Sequence, residues 1–345
     1  MRLRALGLLA AVLLVAGACG EGEATPETDQ AGNAETQTLT VYSGREEEYV
    51  EGLFESFEES SGIDLDVRYG DSAELAATLV EEGDSSPADV FFSQDAGSLG
   101  AVADAGLFAE LPAEVLEPVD DRFESPEGLW VGTSGRGRVA AYNSETVSAQ
   151  ELPDGIEGFT DPSWKGRIGF PPTNSSFQAF VAGMIATEGE EATRSFLEGL
   201  LANEPKFYED NGATTRAIAS GEIEVGFVNH YYKYEVEHEE GEEIPVENHF
   251  FTGGDPGALV NCAGVGILAG SENAEAAQTF VEFLTSEEAQ SYFAEEIWEY
   301  PVIDGVEPSV DLVPLDEIES PDIDLSDLGG HLEPALNLMA EVGLL

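Results

Sequence analysis

The feature that most limits how this chain can fold is an alternation that begins near Thr38. "LTVYSG" is a short apolar strand ending in glycine. From Glu46 to Ser60, the residues Tyr49, Val50, Leu53, Phe54 and Phe57 recur at the spacing of one helix face, and Gly62 closes the segment. "DLDVRYG" alternates Leu65 and Val67 as a strand does. "DSAELAATLVEEG" is a second helix capped by Asp71 or Ser72, "ADVFFSQ" a third strand and "DAGSLGAVADAG" a third helix. Strands separated by single helices at this spacing form a parallel sheet with helices packed on it. Ligands then bind at the loops that follow the strands. Those loops run from Ser43 to Glu46, Tyr69 to Ser72 and Ser93 to Asp95.

The alternation restarts further on, with no internal sequence repeat. "VGTSGRGRVAAYN" (131–143) contains a strand suited to crossing between two lobes. "GRIGFPPTNSSFQAFVAGMIA" is a strand, a turn and an amphipathic helix, and "FYEDNGATTRAIASGE" is a further turn and helix. "IEVGFVNHYY" is a strand running into two adjacent tyrosines. "GALVNCAGVGILAG" is strand-like and suited to returning the chain to the first lobe. "ENAEAAQTFVEFLTSEEAQSYFAEE" is one long amphipathic helix. The expected fold is α/β, with lobe 1 formed by 38–132 and 262–312 and lobe 2 by 133–261 and 313–345. Two lobes crossed more than once by the chain enclose a hinged cleft.

The residues before Thr38 specify an address. Arg2 and Arg4 precede an uncharged apolar run from Ala5 to Ala18, which is short for a membrane span but suits a signal peptide. "AGAC" ends that run and resembles a bacterial lipobox, with Ala16 where the pattern prefers leucine. Residues 1–19 are therefore expected to be a lipoprotein signal, with Cys19 as the lipidation site. Residues 20–37 have the composition of a flexible acidic tether. Acylation of Cys19 would leave Cys262 unpaired, a small buried hydrophobe in a strand.

The chain holds 70 Asp and Glu against 13 Lys and Arg, a formal net charge of −57. Nucleic acid is excluded as a partner, because phosphate binding needs a positive surface. The acids are dispersed over helix faces, as on proteins from salty or alkaline habitats, and they serve solubility. An enzyme is disfavoured. There is no GxSxG elbow, and the apolar surroundings of Cys262 suit no reactive thiol. No HExxH, paired-cysteine or calcium-loop pattern is present either.

Tyr231 and Tyr232 stand out. In a regular strand, neighbouring side chains diverge, whereas at a strand end they can converge. Together with "TVYSGREE", "SPADVFFSQDAGSLG", "SGRGRVAAYN", "FPPTNSSFQAF", "DPGALVNCAGVGIL" and "EYPV", the run "NHYYKYE" resembles the bacterial ferric-iron-binding proteins of ABC importers, over nearly all of the chain from Leu39. The resemblance implies the type II periplasmic-binding-protein fold, a monomer, and an ABC permease with its ATPase as partners. It implies Fe³⁺ as the ligand, with phosphate or carbonate as a synergistic anion.

Onto this chain it carries Tyr231 and Tyr232 as phenolate donors. Ferric ion is hard and favours anionic oxygen, so the chemistry is sound. Glu46 stands where many relatives have histidine, and Gln94 where many have glutamate. Glu46 is either a carboxylate ligand or a first-turn acid favoured by the helix dipole. The neutral Gln94 amide suits orienting a water or anion. The anion pocket carries over to Asn174, Ser175, Ser176, Asn211 and Asn229. Independently, the turns before the two helices offer free backbone N–H groups to an anion. Arg136 is expected near the hinge, either neutralising anions or in a structural salt bridge. A same-fold carrier of an organophosphonate, phosphate ester or polyamine is the competing expectation.

Overall fold

The computed structural model describes residues 37–345. The signal segment, Cys19 and the tether up to residue 36 lie outside the described residues. Strands β1 (Thr38–Ser43), β2 (Asp64–Tyr69) and β3 (Val90–Ser93) pair in parallel through helices α1 (Glu47–Ser61) and α2 (Ser72–Glu82). Helix α1 buries Val50, Leu53, Phe54 and Phe57, and it ends at Gly62 with φ 72°, a conformation that costs glycine nothing. Asp71 caps α2 by accepting from the Ala73 and Glu74 N–H groups. Helix α3 (Ala96–Asp104) follows β3, with Asp95 as its cap.

After the short helix α4 (Ala113–Leu116), the chain enters β4 (Val131–Asn143), a strand of 13 residues. Its length lets it serve two wings. Val131–Gly137 pairs antiparallel with β9 (Val260–Ile267), next to β3. Arg138–Tyr142 pairs antiparallel with β7 (Val225–Asn229), and Ala140–Asn143 with β8 (Val246–His249). Strands β5 (Ile168–Phe170) and β6 (Lys206–Phe207) extend the second wing in parallel with β7. The sheet order is β2-β1-β3-β9-β4-β7-β5-β6. Each wing is thus parallel where βαβ units build it, and the two long strands β4 and β9 that join the wings run antiparallel to each other and to their other neighbours. The register slips between Gly132 and Ser134, and the Thr133 carbonyl freed there accepts from Gln290.

The second wing carries α5 (Ser175–Glu188), α6 (Glu190–Ala202), α7 (Asn211–Ala219) and α8 (Tyr232–Glu240). Three details depart from the sequence expectations. Helix α5 is not amphipathic but buried on most sides, because α6 and α11 (Leu328–Val342) both cover it. The strand ahead of the tyrosines stops at Asn229, so the pair opens a helix. The expected long helix is two, α9 (Ala274–Leu284) and α10 (Glu287–Glu296), broken where Ser286 caps the second by accepting from Ala289 N–H. Helix α11 packs on α3 of the first wing as well as on α5 of the second. The contact with α3 is backbone to backbone: a Cβ on Gly329 would lie 2.7 Å from the Ala101 nitrogen.

The core is a cluster running through both wings, with Phe57, Phe91, Phe92, Trp130, Phe177 and Phe227 among its largest members. A smaller cluster holds Val139, Val228, Val246 and the two tyrosines. Cys262 is buried and free, as the sequence implied. Burial in that apolar setting pushes its thiol up to about 12.

Candidate metal and anion site

The turns that follow β1, β2 and β3 and those that precede α1, α2, α5 and α7 line one cleft of about 520 Å³. Residues from both wings line it: Arg45, Glu46, Tyr69, Asp71 and Gln94 from the first, Asn174, Ser175, Glu209 and Asp210 from the second. A groove of similar size lies between Asp121–Pro126 and Ile318–Leu325 and is lined by several carboxylates with Arg122.

The tyrosine pair is built by the turn after β7. Tyr231 has φ −75° and ψ −21°, so the chain is already helical there. Successive helical side chains point about 100° apart rather than 180°, which lets the two rings meet. Their centroids are 4.3 Å apart with planes at 31°. Tyr231 is 3% exposed and Tyr232 6%. Burial raises the pKa of both phenols. Around Tyr231, the Arg136 and Arg45 guanidiniums oppose that rise. Around Tyr232, its neighbours Tyr231, Tyr49 and Glu235 add to it. Both phenols are therefore protonated at neutral pH.

His230 fixes this turn. It is fully buried, its Nδ1 accepts from the Gly137 N–H at 3.2 Å, and its Nε2 lies 3.1 Å from the Trp298 carbonyl. Burial pulls its pKa down to about 4, so it stays neutral and Nε2–H donates to that carbonyl.

Glu46 sits at the N-cap of α1 and makes no side-chain cap bond. It is raised from its ordinary pKa by burial and by Glu48. Gln94 lines the cleft, and its backbone N–H donates to Ser72 Oγ at 2.9 Å. Among the described residues there is no cluster of three or more His, Cys, Asp and Glu able to hold a metal. Any metal held here would rely on phenols.

The five residues assigned to an anion lie together. Asn174 caps α5, and its Oδ1 accepts from Ser176 N–H, Ser176 Oγ and Asn211 Nδ2 at 3.0, 2.6 and 3.1 Å. Ser175 and Ser176 open α5 and Asn211 opens α7, so two positive helix ends share one turn. Arg138 was not singled out as a site residue by sequence reasoning, yet it completes the group: its guanidinium donates to Ser176 Oγ at 3.2 Å and to Asn229 Oδ1 at 3.4 Å. Arg136, Arg138, Gln94, Ser175, Ser176 and Asn229 enclose a small chamber.

Both arginines are 3% exposed, and Arg136 Nε and one of its terminal nitrogens, with Arg138 Nε, have no hydrogen-bond partner. Burial without a carboxylate pulls Arg138 down to about 9, still cationic at neutral pH. The signal for Arg138 was legible in "GRGR": residues two apart in a strand share a face, so Arg136 and Arg138 point the same way. Gly137, between them, lets the Phe250 ring approach on the opposite face; a Cβ there would lie 2.9 Å from it.

Beneath the site, Glu299 is wholly buried. Its carboxylate accepts from Arg45 at 2.9 and 3.2 Å and from Ser134 Oγ, and Arg136 Nε lies 3.7 Å away. Arg136 thus lies beside a buried carboxylate and also lines the chamber. Arg45 and Glu299 carried no sequence signal, because nothing in "SGREE" or "EYPV" says that they meet.

Comparison with known proteins identifies the family and the fold. The family model for bacterial extracellular solute-binding proteins matches residues 85–319. The Fe(3+)-binding periplasmic protein of Serratia marcescens is 32% identical over 92% of this chain and 93% of its own. Iron-bound HitA from Pseudomonas aeruginosa superposes with a TM-score of 0.84 at 36% identity, covering 89% of this chain and 100% of that one. A Trichodesmium protein in complex with iron and citrate gives 0.77 at 29% identity, covering 89% and 100%. With its two α/β wings, joining strands and cleft, the chain belongs to the bacterial extracellular solute-binding proteins and has their type II periplasmic-binding fold.

Proposed function

We propose that this protein captures ferric iron outside the cytoplasm and delivers it to an ABC permease. The observation that carries the reading is the convergence of the Tyr231 and Tyr232 rings beside a chamber lined by two buried arginines. Phenolates are hard anionic donors suited to Fe³⁺, and the chamber offers N–H groups to a small oxyanion that would complete the coordination sphere. Relatives named for ferric iron over nine-tenths of the chain support the same reading. Tyr231 and Tyr232 supply the phenolates, Glu46 a carboxylate from the first wing, and Gln94 an amide that orients water or the anion. Asn174, Ser175, Ser176, Asn211, Asn229, Arg136 and Arg138 hold phosphate or carbonate.

Donors from both wings favour the closed cleft, because the metal meets all of them only there. The lobes divide at residues 132 and 262, with 313–345 assigned to lobe 2, although α11 packs on both wings. Cys19 carries a lipid that holds the protein at the outer face of the membrane by its acidic tether. The protein works as a monomer and performs no catalysis.

A second reading has its own support. The partnerless Arg138 Nε suits a phosphate ester or phosphonate as the cargo itself. Competition separates the two. Ferric iron should bind with phosphate or carbonate and be released by a chelator. A carrier of a phosphate ester would bind the ester tightly without iron and show no gain from adding the metal.

A further inference from the structure

Residues 298–300 join three parts of the molecule that the cleft must bring together. They follow α10, which packs on α1 and α9 of the first wing. The Trp298 carbonyl faces His230 Nε2 at 3.1 Å, immediately before the tyrosines. Its indole packs against the small second-wing cluster that contains Tyr231 and Tyr232, and lies 5.3 Å from the His238 ring on α8. The Glu299 carboxylate holds Arg45 in the loop after β1. Tyr300 exchanges two backbone hydrogen bonds with Gly135 of β4, at 2.7 and 3.0 Å, and its ring lies 4.5 Å from that of His230. Gly135 is needed for this approach, since a Cβ there would sit 3.2 Å from the Tyr300 Cβ.

Trp298 has φ 56°, one of two non-glycine residues with positive φ among the described residues. A bulky side chain avoids that region, and such strain persists only where the surroundings over-determine it. Here the indole and the carbonyl are both held by the second wing while the backbone continues from the first.

We propose that Trp298–Tyr300 is the closure latch of the cleft, with Trp298 a positioning residue that couples the first-wing loop at Arg45 to the second-wing turn at Tyr231. An opening that draws the second wing from the first would separate the indole from His238 and release the Trp298 carbonyl from His230. Closing restores both. The latch makes no contact with the cargo and acts through the balance of open and closed forms. It rests on the ferric reading only for the ligand used to observe it.

The test compares the full chain with the variants Trp298→Ala, Trp298→Phe and His238→Ala. Iron release to excess EDTA should be about tenfold faster in Trp298→Ala and His238→Ala, while the visible spectrum at saturation stays that of the wild type. Trp298→Phe, which keeps a ring, should recover most of the difference. Hydrogen exchange without iron provides a ligand-independent arm. Replacing His238 should speed exchange at 298–300, and replacing Trp298 should speed it at 230–232.

Unchanged release, with exchange altered only around the substituted residue, would overturn the latch. If Trp298→Ala fails to fold, His238→Ala carries the same two readouts from an exposed position. If the wild type takes no ferric iron, the ferric reading fails and the exchange arm alone decides the latch.

Discussion

The buried carboxylate of Glu299 gives the most stringent test of the charge arrangement under the cleft. Glu299 is 0% exposed and its two arginine partners are each 3% exposed. Changing Glu299→Gln keeps the shape and one acceptor oxygen but leaves Arg45 and Arg136 without a counter-charge. Breaking a buried pair from one side costs roughly 3–5 kcal/mol, because the remaining charge cannot be solvated. At about 2–4 °C per kcal/mol for a chain of this size, the melting temperature should fall by about 6–20 °C at pH 7.

The pH dependence has a definite sign. Burial pushes the Glu299 carboxyl up, but Arg45, Arg136 and the Ser134 hydroxyl together hold it below its ordinary value. A depressed folded pKa means that the stabilisation is present above the unfolded value of about 4.3 and is lost as pH falls through the folded one. Thermal unfolding followed by circular dichroism should show the gap between wild type and variant in full at pH 7 and shrinking below about pH 4. A gap under about 2 °C at pH 7, or one that persists unchanged into acid, would refute this account of the network.

Other expectations follow from the same geometry. Both phenols are held protonated by burial, so a metal that binds both must displace two protons. Apparent ferric affinity should then fall by about 100-fold per unit of pH near neutrality, measured by chelator competition at fixed anion concentration. A slope of one proton or fewer would mean that only one tyrosine ligates. Arg138→Met should remove most of the gain in ferric affinity that phosphate or carbonate confers, about tenfold or more for a charge-assisted contact, while affinity without added anion changes little. The buried Cys262 thiol, raised to about 12, should resist a disulfide reagent in the native protein and react on unfolding, read by mapping the labelled peptide.

Much of the architecture was legible because local periodicity and global topology agree. The alternation of β1, α1, β2, α2, β3 and α3 required no tertiary information. The joining strand around Gly135 was legible as a strand suited to crossing between the lobes. The errors have physical causes. A serine able to cap a helix hides within "FLTSEEAQ", where the apolar spacing alone reads as continuous. Helix α5 reads as amphipathic only until two further helices cover its other faces.

At the site, the sequence located the tyrosines and the two helix-initiating turns, since adjacency and capping are local properties. It missed Arg45 with Glu299 because those residues are 254 positions apart and meet only through the fold. Arg138 was given no site role although its spacing from Arg136 already placed both on one face. His230 gave no local signal, because its neighbours, rather than its own position, give it a role in fixing the turn.

The central claim is that Tyr231 and Tyr232 bind ferric iron as phenolates, and the most direct measurement is the visible phenolate-to-iron charge-transfer band. The protein would be titrated with ferric iron at neutral pH, with phosphate, carbonate or citrate supplied in turn, beside Tyr231→Phe, Tyr232→Phe and the double variant. The account predicts a saturable coloured complex with at least one anion, weakened in each single variant and abolished in the double. Absence of colour under every condition, or an undiminished band in the double variant, would contradict it.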